Sequence, residues 1–502
     1  MADNAYILAV DQGTSSTKTI VFDKAGRVVA KATVSLKTYY SEGGFVEQVP
    51  EDIYQNVIDS VSECITTFFS TGGNLQQIKT AGISNQRETF VIWDADGKPL
   101  HNAVVWQCKR SVEVCKQLQQ TDGLADEINA KTGLIIDPYF SGTKLIWLYQ
   151  NNEKVRIAID AGEAYFGTVD TWLLYKLTNG EKYLTDHTNA SRTLFFNLHT
   201  LQWDTELLAK FGLQNLNMPQ IRPSAHDYGT TGFEGLFPAG INIGSMIGDS
   251  HAAAFGEGCF TPGTAKATLG TGCSILKNIG SEARASGNGM VTTVCWSIAN
   301  RVDFALEGVI VSCGATVEWL KNELGLFTDS RQTEAMATSV TDNNGVYIIP
   351  AFSGLGAPHW DMSRKASING LTFDCNKNHI ARAALESIGY QIKDVISAME
   401  TDTGIEVKEL MANGGISANK FVLQFMADLL GCNVVTRDVA DISAFGAACL
   451  AGLSAHIYNN IDELKTITGG SKKVHAPNAS AGVHQYYFGW LNAIGGTKQE
   501  VS

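Results

Sequence analysis

The chain has 502 residues, of which 44% are hydrophobic, and its formal net charge at pH 7 is −13. This length allows two or more domains with cores of their own, and the composition excludes a disordered chain. The acidic balance, without any run of basic residues, argues against a nucleic-acid partner.

Membrane insertion and secretion are not expected either. The sequence has no stretch of 18 apolar residues, and its start, MADNAYILAV, does not follow a signal-peptide pattern. The ten cysteines are scattered without a C-x-x-C pair or zinc-site spacing, which predicts free thiols in a reducing compartment. We therefore expect a cytoplasmic protein.

The first predicted strand reads AYILAVDQGTSS and ends in an acid, a glycine and hydroxyl residues. Gly13 would let backbone N–H groups approach an anion, and Thr14, Ser15 and Ser16 would add hydroxyl donors. Asp11 stands where it would hold a magnesium ion or its water. The stretch is a candidate phosphate-binding turn, although an ordinary tight hairpin has the same pattern.

The next elements predict a β-hairpin, a helix and a return to strand. Strands at Thr19–Phe22 and Val28–Ala30 flank a turn in which Gly26 supplies a positive φ angle. Apolar residues at helical spacing predict a helix over Glu51–Phe69, and Thr80–Ser84 returns to strand. The chain therefore begins as three antiparallel strands followed by a helix and a further strand.

Polar and aromatic residues then follow predicted strands. Arg87 and Glu88 offer fixed donors and acceptors, which a site needs to grip the hydroxyl groups of an uncharged polyol. Trp106 and Tyr139 would be walls against which the CH groups of the polyol pack. A solvated loop and core aromatics are the alternative interpretations. A helix is expected to begin near Ser141.

A second acid, Asp249, ends the apolar run IGSMIGD and leads into an alanine-rich helix. It is interpreted either as a helix cap or as a general base, and a base requires a phosphate site nearby. The following stretch TAKATLGTGCSI supplies such a site, because a strand is broken there by Gly270, Thr271 and Gly272.

The second half of the chain thus repeats the first: strand, Gly/Thr turn, strand, turn, strand. Met290–Ile298 and Val302–Leu306 are expected to form a hairpin. The repeat predicts an α/β fold of two βββαβα domains, 1–255 and 256–502, which face each other across a nucleotide cleft.

The strongest helical pattern of the chain covers His379–Met399. Beyond it, Gly414 and Gly415 lie between a strand and a helix preceded by Asn419. This glycine pair would let a flat base or a phosphate lie against the backbone, or would only allow close helix packing. Three further stretches are interpreted as scaffold or periphery: Phe166–Leu177, Leu184–Leu194 and the polar tail from Lys472.

Taken in order, these pieces resemble the FGGY family of carbohydrate kinases, in the superfamily that includes hexokinase, actin and chaperone ATPases. The resemblance covers nearly the whole chain and is closest to the members that act on glycerol. It rests on eleven blocks in the family's order: DQGTSS, SNQRET, VVWQC, TGLIIDPYFSGTK, FGTVDTWL, TNASRT, GTGC, ALEG, GVYIIPAFSGLGAP, LESIGYQ and NGG.

The resemblance implies transfer of a phosphoryl group from magnesium-ATP to a primary hydroxyl of a small polyol, with glycerol as the first candidate. Asp249 would accept the proton of the attacking hydroxyl, and Asp11 and Asp249 would lie near the magnesium ion. A homodimer or homotetramer is also implied. The polyol would meet Arg87, Glu88, Trp106, Tyr139, Asp249, Ser250 and Ser274. ATP would meet Gly13, Thr14, Ser15, Ser16, Gly270, Thr271, Gly272, Gly314, Gly414, Gly415 and Asn419.

The chain departs from the family pattern inside this pocket. Members that act on glycerol usually carry two glutamines where this chain has Ser250 and His251, and a phenylalanine where it has Ser274. These changes make the pocket larger and more polar, which suits a longer polyol or a sugar. Three hypotheses remain: an enzyme for glycerol, a sister kinase for erythritol, threitol, xylulose or ribulose, and a nucleotide-switched binding protein.

Overall fold

The computed structural model describes residues 5–439, 441–468, 471–478 and 482–495. The strands of these residues are β1 (Tyr6–Gln12), β2 (Ser16–Asp23), β3 (Val28–Ser35), β4 (Tyr39–Ser41), β5 (Phe45–Gln48), β6 (Ile78–Asn85), β7 (Phe90–Trp93), β8 (Ala103–Val104), β9 (Tyr165–Thr168), β10 (Leu184–Asp186), β11 (Phe196–Asn197), β12 (Gln202–Trp203), β13 (Gln220–Arg222), β14 (Thr230–Thr231), β15 (Ile241–Gly248), β16 (Thr264–Leu269), β17 (Cys273–Gly280), β18 (Val291–Ile298), β19 (Arg301–Ile310), β20 (Tyr347–Ile349), β21 (Ser367–Asn369), β22 (Glu409–Asn413), β23 (Asn433–Arg437) and β24 (Lys472–His475).

The helices of the same residues are α1 (Pro50–Ser70), α2 (Val112–Gln119), α3 (Leu124–Thr132), α4 (Ser141–Asn151), α5 (Glu153–Asp160), α6 (Val169–Leu177), α7 (His187–Ala190), α8 (Thr205–Lys210), α9 (Asp249–Gly256), α10 (Gly314–Asn322), α11 (Gln332–Thr338), α12 (Lys377–Thr403), α13 (Lys420–Leu430), α14 (Ile442–Ser454), α15 (Ile461–Thr468) and α16 (Val483–Ala493). None of these helices is long and apolar enough to cross a membrane.

The first large sheet has the strand order β14-β15-β6-β1-β2-β3. Strands β1, β2 and β3 form the predicted antiparallel unit, with Gly26 at φ +79° in the second turn. Strands β6 and β15 are parallel to β1, and their register aligns Gln12, Asn85 and Gly248. The residues that follow these three positions therefore meet at one edge of the sheet, where open α/β sheets bind their ligands.

The second large sheet has the order β18-β19-β17-β16-β22-β23-β24. Its strands β19-β17-β16-β22-β23 match β3-β2-β1-β6-β15 in pairing, because β22 and β23 are parallel to β16 and the others are antiparallel. This match confirms the predicted repeat and the α/β class. The predicted three-strand unit is extended here, since β18 is inserted along the chain and pairs with the outer side of β19.

The first copy of the unit is also interrupted. The chain between β6 and β15 contributes β7, β8 and β9 to a separate sheet of order β4-β5-β8-β7-β9, together with helices α2 to α8. The prediction of a plain βββαβα unit for the first domain is therefore too simple. The insertion has an apolar core of its own, around residues such as Phe90, Leu145 and Phe166.

Helices α9 and α14 fill the space between the two large sheets. Gly446 of α14 touches the Ala252 carbonyl of α9, and a Cβ atom on Gly82 of β6 would stand 2.5 Å from the Ala447 carbonyl. The Ser245 hydroxyl of β15 donates to that same carbonyl at 2.7 Å. Helix α14 therefore packs against the first sheet although it comes late in the chain.

The end of the described chain is less peripheral than its polar composition suggests. Strand β24 pairs with β23 and so extends the second sheet. Trp490 of α16 is fully buried, and its indole N–H donates to the Asp394 carboxylate at 2.9 Å. The interpretation of the tail from Lys472 as peripheral holds for the exposed edge strand β24 but is wrong for α16, because the buried Trp490 anchors that helix.

Candidate active site

The predicted site residues follow the strands whose C-terminal ends meet at the sheet edges. Asp11 lies near the end of β1, Arg87 and Glu88 follow β6, and Asp249 follows β15. In the second sheet, residues 270–272 follow β16 and Gly414 follows β22. The two edges face each other across a cavity of about 540 Å³ to which both sheets contribute.

This cavity gathers residues predicted for different roles. The predicted residues that line it are Asp11, Thr14, Arg87, Glu88, Trp106, Tyr139, Asp249, Ser250, Ser274 and Gly414. Those that do not line it are Gly13, Ser15, Ser16, Gly270, Thr271, Gly272, Gly314, Gly415 and Asn419. The polyol residues therefore share one cavity, while most of the proposed nucleotide residues lie in turns outside its lining.

Four charged side chains form a buried cluster behind the cavity. Arg87 donates to Glu307 Oε1 at 2.8 Å, and Arg192 Nη1 lies 2.7 Å from Glu307 Oε2. Arg192 also donates to Glu88 Oε1 at 2.6 Å. Burial would raise the pKa of Glu307, but Arg192 and Arg87 outweigh it and lower this pKa well below its usual range. Glu307 is thus ionised at neutral pH, whereas burial raises the pKa of Glu88 in spite of Arg87 and Arg192.

Not every polar atom of this cluster is hydrogen-bonded. Among the described residues, the buried Arg87 Nη1 has no hydrogen-bond partner, although Arg87 lines the cavity. An unpaired buried donor costs about 1–3 kcal/mol, so such a group is typically completed by a ligand or a water molecule. Nη1 itself is not exposed to the cavity, so a buried water molecule or a small movement of the side chain would be needed to satisfy it.

Helix α4 holds the substrate side of the cavity in place. The Ser141 hydroxyl donates to the Glu88 carbonyl at 2.8 Å, which fixes Glu88 at a φ of +61°. The Lys144 ammonium donates to the carbonyls of Pro138 and Tyr139 at 2.7 Å each. Burial lowers the pKa of Lys144 to about 7. The start of α4 therefore positions both an acid and an aromatic wall.

The two predicted aromatic walls pack together at the cavity. The rings of Trp106 and Tyr139 lie edge to face with centroids 5.7 Å apart. The Trp106 indole donates to the Thr14 hydroxyl at 2.9 Å, and Tyr139 Oη lies 3.3 Å from Arg87 Nη2. The apolar wall is thus tied both to the first turn and to the charged cluster.

Asp249 is the first residue of α9, and Gly248 occupies the cap position. Its Oδ1 accepts from the Ser250 N–H at 2.5 Å and lies 3.4 Å from Arg87 Nε. The side chain is 41% exposed and lines the cavity, so the carboxylate is free to receive a proton from a bound hydroxyl. This position fits a general base better than a simple helix cap.

Asp11 shares the cavity with Asp249 but is buried. Its Oδ1 accepts from the Ser84 hydroxyl at 2.6 Å, and burial raises its pKa to about 6. Two carboxylates beside a phosphate site are typical ligands for Mg²⁺, which keeps several waters and substrate oxygens. No group of three His, Cys, Asp or Glu side chains suited to a metal occurs in the described part of the chain. An ion here would therefore rely on phosphate oxygens as well.

The glycine turns of the second sheet pack against one another. The Gly314 N–H donates to the Gly270 carbonyl at 2.9 Å, where a Cβ atom on Gly314 would clash at 2.7 Å. Gly414 has a φ of +94°, and a Cβ atom there would stand 2.5 Å from the Leu269 carbonyl. Asn419 caps α13 by accepting from the Val422 N–H. Glycine is thus required at both contacts by packing as well as by any approach of a ligand.

The turn between β1 and β2 has more internal hydrogen bonding than the sequence pattern predicted. The Gly13 N–H donates to the Ser16 carbonyl at 3.0 Å, and the Thr14 hydroxyl contacts Gln86 and Trp106. The Gly13 N–H is therefore engaged within the turn and would not serve an anion in this conformation.

Sequence reasoning missed several charged residues of the site, among them Arg192, Glu307 and Lys266. Arg192 lies in a stretch interpreted as scaffold, yet it is 1% exposed and binds Glu88. Glu307 and Lys266 are fully or almost fully buried within β19 and β16. A charged residue inside an apolar strand was the available signal for the latter two, since burying it requires a partner.

His187, which leads into the segment of Arg192, predicts an acid sensitivity. Its Nδ1 lies 2.9 Å from Ser297 Oγ, and burial lowers its pKa to about 4. An unfolded histidine takes up its proton near pH 6.5, so folding stability is lost as the pH falls from that value toward 4. Between pH 7 and pH 5, the wild type should lose about 2 kcal/mol more unfolding free energy than His187→Gln.

Urea unfolding at the two pH values measures this difference. The exposed histidine variant His199→Gln is the matched control and should follow the wild type. Equal losses of unfolding free energy in the wild type and in His187→Gln would contradict the lowered pKa of His187 as the source of the acid sensitivity.

Comparison with known proteins agrees with this geometry. The model of the FGGY family of carbohydrate kinases, N-terminal domain, matches residues 6–256, and that of the C-terminal domain matches residues 265–455. A glycerol kinase of Thermoanaerobacter pseudethanolicus is 43% identical over 490 residues, 97% of this chain and 98% of that one. A glycerol kinase of Pseudomonas entomophila is 43% identical over 497 residues, 99% of this chain and 98% of that one.

Solved structures give the same fold. The glycerol kinase of Plasmodium falciparum with ADP has a TM-score of 0.92 at 33% identity and covers 98% of both chains. A xylulose kinase of Lactobacillus acidophilus has a TM-score of 0.86 at 22% identity, covering 99% of this chain and 100% of that one. The second likeness concerns the fold alone.

Proposed function

Because the chain belongs to the FGGY family of carbohydrate kinases, we propose that this ATP-dependent kinase transfers a phosphoryl group to a primary hydroxyl of glycerol, yielding glycerol 3-phosphate. The observation that carries the proposal is the position of the Asp249 carboxylate in one cavity with Arg87, Glu88, Trp106 and Tyr139. Relatives 43% identical over nearly the full length are glycerol kinases, which supports glycerol as the acceptor.

Arg87, Glu88 and Asp249 bind the hydroxyl groups of the polyol in this proposal. Arg87 donates, while the Glu88 and Asp249 carboxylates accept. The rings of Trp106 and Tyr139 cover the CH groups. Because the buried charge cluster fixes Arg87 and Glu88, little conformational entropy is lost when the substrate binds.

Asp249 then removes the proton of the attacking hydroxyl. The oxygen attacks the γ-phosphorus of ATP, the bond to the bridging oxygen of ADP breaks, and the proton passes to the Asp249 carboxylate. Phosphoryl transfer depends mainly on alignment and on neutralising negative charge, and closure of the cavity keeps water from replacing the alcohol.

The nucleotide is proposed to lie against the glycine turns, with the phosphates near Thr14, Ser15, Ser16, Gly270, Thr271, Gly272 and Gly314, and the adenosine near Gly414, Gly415 and Asn419. Mg²⁺ would be held by Asp11 and Asp249 and would neutralise phosphate charge. The domains are proposed to divide near residue 255, with α14 packing back onto the first sheet. A cytoplasmic homodimer or homotetramer stays a prediction.

Release of ADP from purified protein with Mg-ATP, with and without glycerol, tests this function. We expect ADP release to depend on glycerol and to saturate with its concentration. Release at the same rate without any polyol would contradict the proposal. That result would instead favour a nucleotide-switched binding protein.

A further inference from the structure

A chain of hydrogen bonds crosses the wall of the cavity beside the charge cluster. The Lys266 ammonium donates to Ser250 Oγ at 2.7 Å, and Ser250 Oγ lies 3.3 Å from Ser274 Oγ. Ser274 donates to Glu307 Oε1 at 3.2 Å. All three of Lys266, Ser250 and Ser274 line the cavity, whereas Glu307 is fully buried behind it.

The two groups at the ends of this series of hydrogen bonds determine which serine hydroxyl donates to which neighbour. Lys266 has only donors and the ionised Glu307 has only acceptors, so Ser250 donates toward Ser274 and Ser274 donates toward Glu307. Ser250 therefore presents a donor on the cavity side, and Ser274 presents a lone pair. The contact between the two serines is the longest of the three and beyond the usual O–H···O distance.

We propose that the Ser250–Ser274 pair is a binding subsite for one further hydroxyl group, which makes four-carbon polyols, the tetritols, substrates of this enzyme. A hydroxyl between the two oxygens accepts from Ser250 and donates to Ser274. It replaces one long hydrogen bond with two of ordinary length.

The serine pair lies beside the part of the cavity proposed for the polyol. Glu307 Oε1 receives hydrogen bonds from both Arg87 and Ser274, so the serine pair lies next to the group that binds the polyol. A hydroxyl bound by Arg87 and a hydroxyl bound by the serines therefore lie on neighbouring parts of one ligand. Glycerol, with one hydroxyl at the base and two at Arg87 and Glu88, leaves this subsite empty.

The inference rests on the proposed function, because it places the tetritol in the same cavity with the same base. The test compares kcat/KM for glycerol, erythritol and both enantiomers of threitol, with xylulose and ribulose as ketopentose controls. We expect at least one tetritol to be used at least as well as glycerol.

Ser274→Ala removes one hydroxyl without adding bulk. We expect it to lower the ratio of tetritol to glycerol kcat/KM about 10-fold, the effect of one lost hydrogen bond. Ser274→Phe fills the space of the fourth carbon and should lower the ratio further. The exposed serine variant Ser70→Ala is the matched control, and its ratio should equal that of the wild type.

The possible results distinguish failure of the proposed subsite from failure of the proposed function. Glycerol use without tetritol use, or an equal loss for both substrates in Ser274→Ala, would overturn the subsite and leave the proposed function standing. Preference for a ketopentose over every tetritol would also overturn it. Failure of all polyols, with ATP binding intact by calorimetry, would overturn the proposed function itself.

Discussion

Replacing Asp249 with asparagine is expected to lower kcat for glycerol phosphorylation by about 10³-fold, within the range for a positioned base. The substitution keeps the size and shape of the side chain but removes the acceptor for the proton of the attacking hydroxyl. It also keeps an oxygen that can accept from the Ser250 N–H, so the start of α9 should be preserved. The affinity for ATP should change little.

Steady-state kinetics with saturating ATP measures this loss, and thermal unfolding verifies the fold. The matched control is Asp59→Asn on the exposed side of α1, which should keep kcat within about threefold of the wild type. A kcat for Asp249→Asn as high as that of the control would show that another group removes the proton.

Arg192→Met is expected to cost about 3–5 kcal/mol of unfolding free energy, because it leaves buried carboxylates without their cation. Glu88 makes its ion pair with Arg192, and Glu307 would keep only Arg87. The Arg192 guanidinium also lies 5.1 Å from the Phe140 ring, so the loop before α4 loses a contact as well. Catalytic efficiency should fall by at least about 10²-fold, since the pKa of Glu88, which burial already raises, would rise further and its carboxyl group would be a weaker acceptor.

Urea unfolding measures the loss of unfolding free energy. Steady-state kinetics of the folded protein measures the loss of catalytic efficiency. The control is Arg331→Met, because Arg331 is 90% exposed and pairs with Asp329 at the surface. Such a pair contributes about 0–1 kcal/mol. If Arg192→Met cost no more than this control, the buried cluster would not be the support of the site.

The sequence predicted those parts of the site that depend on local pattern. Strand, acid and glycine stand together in DQGTSS, and Asp249 stands between an apolar strand and an alanine-rich helix. Because the strand ends are parallel, local patterns in separate stretches arrive at one sheet edge. The two-domain α/β fold and the shared polyol cavity could be predicted for this reason.

The charge cluster could not be predicted in the same way. Arg87 meets Glu307 across 220 positions of the chain, and Arg192 meets Glu88 across 104. No local pattern states which buried acid faces which buried base. The insertion between β6 and β15 and the buried Trp490 were missed for the same physical reason, since tertiary packing decides them.

The most direct measurement is identification of the product formed from glycerol and ATP labelled at the γ-phosphoryl group. We expect the label to appear in glycerol 3-phosphate in an amount equal to the ADP released. Label recovered only as inorganic phosphate, at a rate that glycerol does not change, would contradict the assignment of this cavity to phosphoryl transfer onto a polyol.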